Sequence, residues 1–291
     1  MRYALENDFL KVEIDSRGAE LSSIIEKSKR YQYLWQGDPN FWPNRAPVLF
    51  PIVGHLNNGT YLFEGKEYHL GLHGFAKMTE FDPVCKNGEM ITFSISHTSN
   101  TLGCYPFEFK LSIDYSLREN ALTVAYRVEN TGVKTMWFSI GAHPAFNCSK
   151  ELEGRKKGTL VFEKKETVCR LVNELGCLTG SEEPFLVDQD SIDLASLDFD
   201  SKNKVSIMQG LQSKWVTFID EGNGKMVRVN FSGFPYLGIW SPSNAAPFIC
   251  IEPWYGVTYT AGVVDVLDKK RGIQSLEAGK SFICSYEIIC E

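Results

Sequence analysis

Over residues 107–118 every odd position is apolar and every even position is polar. Successive side chains of a strand point to opposite faces, so this alternation predicts an antiparallel strand with one face on a core and the other in water. Residues 122–128 repeat the pattern after the turn-like pair Glu119-Asn120, and the two segments predict a hairpin. The same grammar recurs along the chain. Asn87-Gly88 separates residues 83–85 from 90–95, and an Asn-Gly pair suits a tight turn in which both positions need positive φ. Glu64-Gly65 joins 61–63 to 68–70, Gly222-Asn223-Gly224 joins 215–219 to 226–231, and Ala278-Gly279 precedes a last strand over 281–289. Helical signals are weak. Residues 22–27 are compatible with a helical turn, but 18–24 read equally well as a strand. The acidic, serine-bearing stretch 188–200 predicts a loop with a helical turn. No linker and no internal repeat interrupts the pattern, which predicts a single all-β domain over residues 1–291, with many antiparallel strands in stacked sheets.

Composition narrows the class. At 291 residues and 43% hydrophobic, the chain can bury a sizeable core without staples. The net charge is -6, and the densest basic cluster, Lys269-Lys270-Arg271, follows Asp268, so no electrostatic footprint for nucleic acid is present. Residues 1–8 lack the apolar segment of a secretory signal, and no apolar run approaches the ~18 residues that span a bilayer. Eight scattered cysteines without C-x2-C spacing argue for free thiols rather than zinc or a disulfide framework, and predict a reduced, cytoplasmic protein.

Three apolar, glycine-bearing or proline-bearing segments each present one proton-transfer residue: Leu72-His73-Gly74-Phe75, Gly141-Ala142-His143-Pro144 and Cys250-Ile251-Glu252-Pro253-Trp254. Two imidazoles and a carboxylate suit general acid–base work near neutral pH. Proline cannot continue a central strand, so His143 is expected at a strand end or bend facing a cleft. Glu252 is expected at the end of an apolar strand, where burial raises its pKa toward that of a useful base; a bland alternative is a salt bridge to Arg45. His69 and His73 stand four apart, but the intervening and following glycines disfavour the helix that chelation would need. Arg45 lies in the proline-rich stretch Trp42-Pro43-Asn44-Arg45-Ala46-Pro47, where a guanidinium pairs with a carboxylate or a polar ligand. Trp35, Phe75, Phe146, Trp240 and Trp254 are candidates for an apolar wall against which a sugar face stacks, although taken singly each reads first as plain core.

Taken in order along nearly the whole chain, Asn44-Arg45-Ala46-Pro47-Val48-Leu49-Phe50-Pro51, Leu72-His73-Gly74-Phe75-Ala76-Lys77, Gly141-Ala142-His143-Pro144-Ala145-Phe146-Asn147 and Ile251-Glu252-Pro253-Trp254 resemble the aldose 1-epimerase (galactose mutarotase-like) family, and most closely its LacX-type branch. The resemblance implies a β-supersandwich of stacked antiparallel sheets and a cofactor-independent, metal-free isomerase. It implies that Glu252 takes the anomeric hydroxyl proton of an aldohexose and that His143 protonates the ring oxygen. It further implies sugar-binding roles for His73 and Arg45, with Asn44, Lys77, Phe75 and Trp240 as further substrate-binding candidates. The chain departs from the better-known galactose mutarotases, which carry Asn before the central histidine and a second Gly after Leu-His-Gly; Ala142 and Phe75 stand there. Those enzymes also bind a sugar hydroxyl through an aspartate, for which Asp220 is the candidate here. The hexose-6-phosphate branch has an arginine where Lys77 stands, and a lysine can hold phosphate as a point charge.

The expected partner is thus a small-molecule sugar, without nucleic acid or membrane; a homodimer is compatible with the sequence. Two alternatives stay open: a hexose-6-phosphate 1-epimerase, and a non-catalytic carbohydrate-binding or sugar-sensing protein. A glycosidase would need a second carboxylate ~5–9 Å from the first, and no second acid has a comparable setting.

Overall fold

The computed structural model describes residues 1–150, 154–202 and 204–291. The alternating run becomes strand Phe109–Arg118, which pairs residue for residue with Ala121–Asn130. Glu119 turns the chain at φ 53. Phe107 stays apolar and buried but lies before the strand, where its N–H bonds to the Tyr105 carbonyl. The final strand, Ser281–Cys290, flanks Ala121–Asn130 on the other side.

These strands belong to one large antiparallel sheet of fifteen strands among the described residues. One end carries Asp82–Lys86, Met90–Ser96 and the hairpin above. The other carries Tyr236–Trp240, Phe248–Tyr255, Ile140–Ala142 and Val48–Leu49. A four-stranded sheet, Arg2–Glu6, Leu10–Asp15, Glu20–Glu26 and Tyr31–Gln32, packs against the first end. Its Leu10, Val12, Ile14, Leu21 and Ile24 share a core with Phe93, Ile113, Tyr115 and Ile288 of the large sheet. The Tyr115 hydroxyl donates to the Ala19 carbonyl at 2.6 Å, which anchors one sheet to the other.

Several local expectations are settled. Residues 18–27 resolve as a strand, Glu20–Glu26, because Leu21 and Ile24 are needed in the inter-sheet core. Glu64 and Gly65 both take positive φ, as a two-residue hairpin demands. At Asn87-Gly88 the turn forms by another route. Neither residue has positive φ, and the Asn87 side chain accepts from the N–H of Met90 at 2.9 Å. The stretch 188–200 is corrected: strand Cys177–Asp193 runs through its first part, and only Leu194–Ser196 is a helical turn, capped by the Asp193 side chain. That strand forms a long hairpin with Gly158–Glu174, whose tip is Leu175-Gly176. Register shifts break its alternation, and its outer face is exposed and charged, which explains why the sequence pattern concealed it. Among the described residues no helix is long and apolar enough to cross a membrane, and all eight cysteines are free.

Candidate active site

The site grows from the pairing of strand Phe248–Tyr255 with two short strands, Ile140–Ala142 and Ala145–Asn147. Gly141 lies opposite Trp254, and Ala145 lies opposite Cys250. The register is the same on both sides of the gap, so His143 falls opposite Glu252. The ladder opens at this point because Pro144 and Pro253 each lack an N–H. Directly opposed residues share one face of a sheet, so both side chains project the same way. His143 is therefore at a break between strands, as expected. The expectation for Glu252 is corrected: it sits inside its strand, which continues through Pro253 to Tyr255. Trp254 lies over two glycines, Gly141 and Gly238, where an added Cβ would come within 2.6 and 2.7 Å of its ring.

His143 Nε2 is 3.2 Å from Glu252 Oε2, with both residues buried. The contact is close but poorly aligned. Both Glu252 oxygens and His143 Nδ1 lack a hydrogen-bond partner among the described residues. Buried polar atoms are almost always satisfied, so three orphans in one place call for an external partner. Burial pushes the Glu252 pKa well above the ordinary carboxylate range, with the nearby Trp254 indole pulling weakly the other way. Burial lowers His143 to about 3, and Lys77 adds to the shift. Both shifts act in one sense: burial favours the neutral form of each side chain.

These opposite shifts predict opposite pH dependences. A carboxyl whose folded pKa is raised gives stability that is present below its unfolded value near 4.5 and is lost as pH rises. A histidine whose folded pKa is lowered loses stability as pH falls from 6.5 toward about 3. In the wild type the two slopes oppose each other between these limits. His143→Gln should therefore become less stable with rising pH in that window, and Glu252→Gln less stable with falling pH. Urea midpoints at both ends of the window check the signs; equal slopes in the two variants would refute the assignment.

The rest of the site clamps this pair. Trp42 stacks on the His143 ring at 4.8 Å, and Trp240 meets it edge-on at 5.2 Å. His73 stands edge-on at 5.6 Å. His73 itself is held by its backbone, at φ 62, followed by Gly74 at φ 72. A Cβ on Gly74 would lie 2.4 Å from the Phe50 carbonyl oxygen, so no other residue fits without displacing the chain. The Gly54 N–H donates to His73 Nδ1 at 3.0 Å. That bond requires a free lone pair on Nδ1, so the ring is neutral and carries its proton on Nε2. Burial first, then the neighbouring His143, Lys77 and His55, hold its pKa well below the usual value.

The pair opens onto a cavity of about 430 Å³. Of the residues expected at the site, Asn44, His73, Lys77, His143, Trp240 and Glu252 line it, as does Trp254. Arg45 and Phe75 do not. The backbone N–H groups of Arg45 and Ala46 donate to Glu20, and no ion pair forms between Arg45 and Glu252; His143 takes that place. Phe75 packs on Phe50, Tyr105 and Phe109 in the core. Trp35 stacks on Phe248, and Phe146 is fully buried, so neither forms the wall. Asp220 is spent on the Ser149 and Gly222 backbone amides and on Asn223, away from the cavity. Sequence reasoning missed Trp42, His55 and Thr258, and also Leu175, Gly176, Lys202 and Lys204, which the long hairpin and its neighbouring loop bring in. The signal for Trp42 was available, three residues before Arg45 in the same proline-rich stretch. Among the described residues lining the cavity, Glu252 is the single carboxylate, so the paired acids of a glycosidase are not present there.

Residues 1–261 match the aldose 1-epimerase family model. The chain is 36% identical to chromosomal protein LacX of Lactococcus lactis subsp. lactis, with 99% of each chain covered. It superposes with a TM-score of 0.94 on a galactose mutarotase-like protein from Lactobacillus casei, at 31% identity and full coverage of both chains. A galactose mutarotase related enzyme from Lactobacillus acidophilus gives a TM-score of 0.93, also at 31% identity, over 100% of this chain and 97% of the other. The stacked antiparallel sheets are thus the galactose mutarotase-like fold, and the chain belongs to the aldose 1-epimerase family.

Proposed function

We propose that this protein is a mutarotase that interconverts the α and β anomers of an aldohexose. The observation that carries the reading is the buried His143–Glu252 pair, with its unpartnered oxygens and nitrogen, on the wall of a cavity. Ring opening needs a base at the anomeric hydroxyl and an acid at the ring oxygen. A pair that shares one proton supplies one of each. A sugar hydroxyl donating to Glu252 favours its ionised form, which moves the proton toward His143. Glu252 then takes the anomeric O–H proton as the C1–ring-oxygen bond breaks, and His143 delivers its proton to the ring oxygen. The open aldehyde turns about C1, and the reverse transfers close the ring on the other face. Protons balance over the cycle and no cofactor is consumed. The His73 Nε2–H is a ready donor to a sugar oxygen, and Trp42 and Trp240 offer apolar faces. Polarimetry on freshly dissolved α-D-galactose and α-D-glucose tests the reading, with acceleration expected on at least one sugar.

A second reading, a hexose 6-phosphate as substrate, is favoured by the lysines. Lys77, Lys202 and Lys204 line a cavity whose single carboxylate is pushed by burial toward its neutral form. Lys202 already pairs with Glu174 at 3.0 Å, but Lys77 makes no ion pair among the described residues. A charge-assisted hydrogen bond is worth ~1.5–3 kcal/mol, so Lys77→Ala should raise KM for the phosphorylated sugar by about 10–100-fold. A rise of the same size for the free sugar would remove this reading.

A further inference from the structure

We propose that His143, Glu252 and Cys250 form a binding site for a soft divalent cation of the zinc kind, and that its occupancy silences the acid–base pair. Cys250 and Glu252 are two residues apart on strand Phe248–Tyr255 and therefore share a face. His143 stands across from Glu252 on the same face. One imidazole nitrogen, one thiol sulfur and one carboxylate oxygen lie within 4.8 Å of one another, and all three residues are buried. His143 Nε2 and Glu252 Oε2, at 3.2 Å, are already spaced for a single ion. Zinc holds such ligands at ~2.0–2.3 Å, which draws them to within about 4 Å of each other, so the widest gap closes by a small side-chain rotation.

The second observation is the set of unsatisfied atoms. Both Glu252 oxygens, in a residue 1% exposed, lack a hydrogen-bond partner among the described residues, and the carboxylate supplies one of the three clustered ligand atoms. The charge also balances. The metal binds the thiolate and carboxylate forms, any proton on either leaving to solvent, and a dication held by one thiolate, one carboxylate and a neutral imidazole is electrically neutral. Burying that site avoids the cost of an isolated charge. The cavity lined by His143 and Glu252 supplies the entry path, and its space leaves a fourth position for water. A bound ion takes up the Nε2 and Oε2 lone pairs that proton transfer needs, so sugar turnover and metal occupancy exclude each other.

Cobalt(II), added to chelator-stripped protein, is the probe, because a thiolate ligand gives it a charge-transfer absorption. The wild type should bind a single ion with that band, lose it to added zinc, and lose mutarotation in step with occupancy. Cys250→Ala and Cys250→Ser should lose the band, bind the metal more weakly by more than about 10-fold, and keep metal-free mutarotation. If the alanine variant does not fold, the serine variant, close in volume, decides. Absence of the band in the wild type overturns the site. So does a band undiminished in the Cys250 variant, which would place the ion on exposed Cys85 or Cys169. Full mutarotation with the band present overturns the silencing. The absorption reads the site even if the mutarotase reading fails, so the two can fail separately.

Discussion

Glu252→Gln is expected to slow mutarotation by about 10²–10⁴-fold, the usual contribution of a positioned general base. Glutamine keeps the size and hydrogen-bonding shape of the side chain but cannot take the anomeric proton. Sugar affinity should hold, because the cavity walls Trp42, Trp240, Asn44 and His73 are untouched. Calorimetric titration with galactose or glucose, beside polarimetry, separates the two quantities. The buried carboxyl is unsatisfied in the ligand-free protein, so its removal should leave the urea midpoint near neutral pH unchanged or raised. A variant that binds and turns over like the wild type would remove Glu252 from the reaction. A wild type that binds sugar without accelerating mutarotation would instead favour the sugar-sensing alternative.

His143→Gln should produce a fall of the same order, about 10²–10⁴-fold, and the double variant should be scarcely worse than either single one. On the proposed mechanism acid and base, 3.2 Å apart, act in one concerted step and share one proton, so removing either leaves its partner idle. Rate losses that multiply in the double variant would show that the two groups act in separate steps. The stacking of Trp42 on His143 suggests a control: the ring must fold against the same surface in the variant, which the near-ultraviolet tryptophan signal reports.

How much of this was legible beforehand depends on the range of the interaction. The hairpin joining Phe109–Arg118 to Ala121–Asn130 was written in local alternation, since a half-buried strand must alternate to keep one face dry. The candidate acid–base pair stood out for a related reason. A carboxylate among Ile251, Pro253 and Trp254, and a histidine after a strand and before a proline, are costly placements that chemistry has to justify. Arg45 and Phe75 show where motif proximity stops short of convergence. Both sit beside cavity residues in sequence, yet neither lines the cavity: Arg45 gives its backbone N–H to Glu20, and Phe75 packs in the core. Asn87-Gly88 shows the same limit on a small scale, where a side-chain hydrogen bond replaced the expected backbone conformation.

By itself the sequence determined the all-β class and most of the short hairpins, and it singled out Glu252, His143 and His73 as candidates, because each reading follows from residues a few positions apart. The tertiary structure alone decided that Glu252 and His143 lie directly opposite, since that register is set between segments more than a hundred residues apart and by prolines that open the ladder there. It also decided that Trp42 clamps the histidine, that Lys202 and Lys204 reach the cavity beside Lys77, and that Cys250 stands with the pair. None of these has a local signature, because each exists only once distant strands have packed.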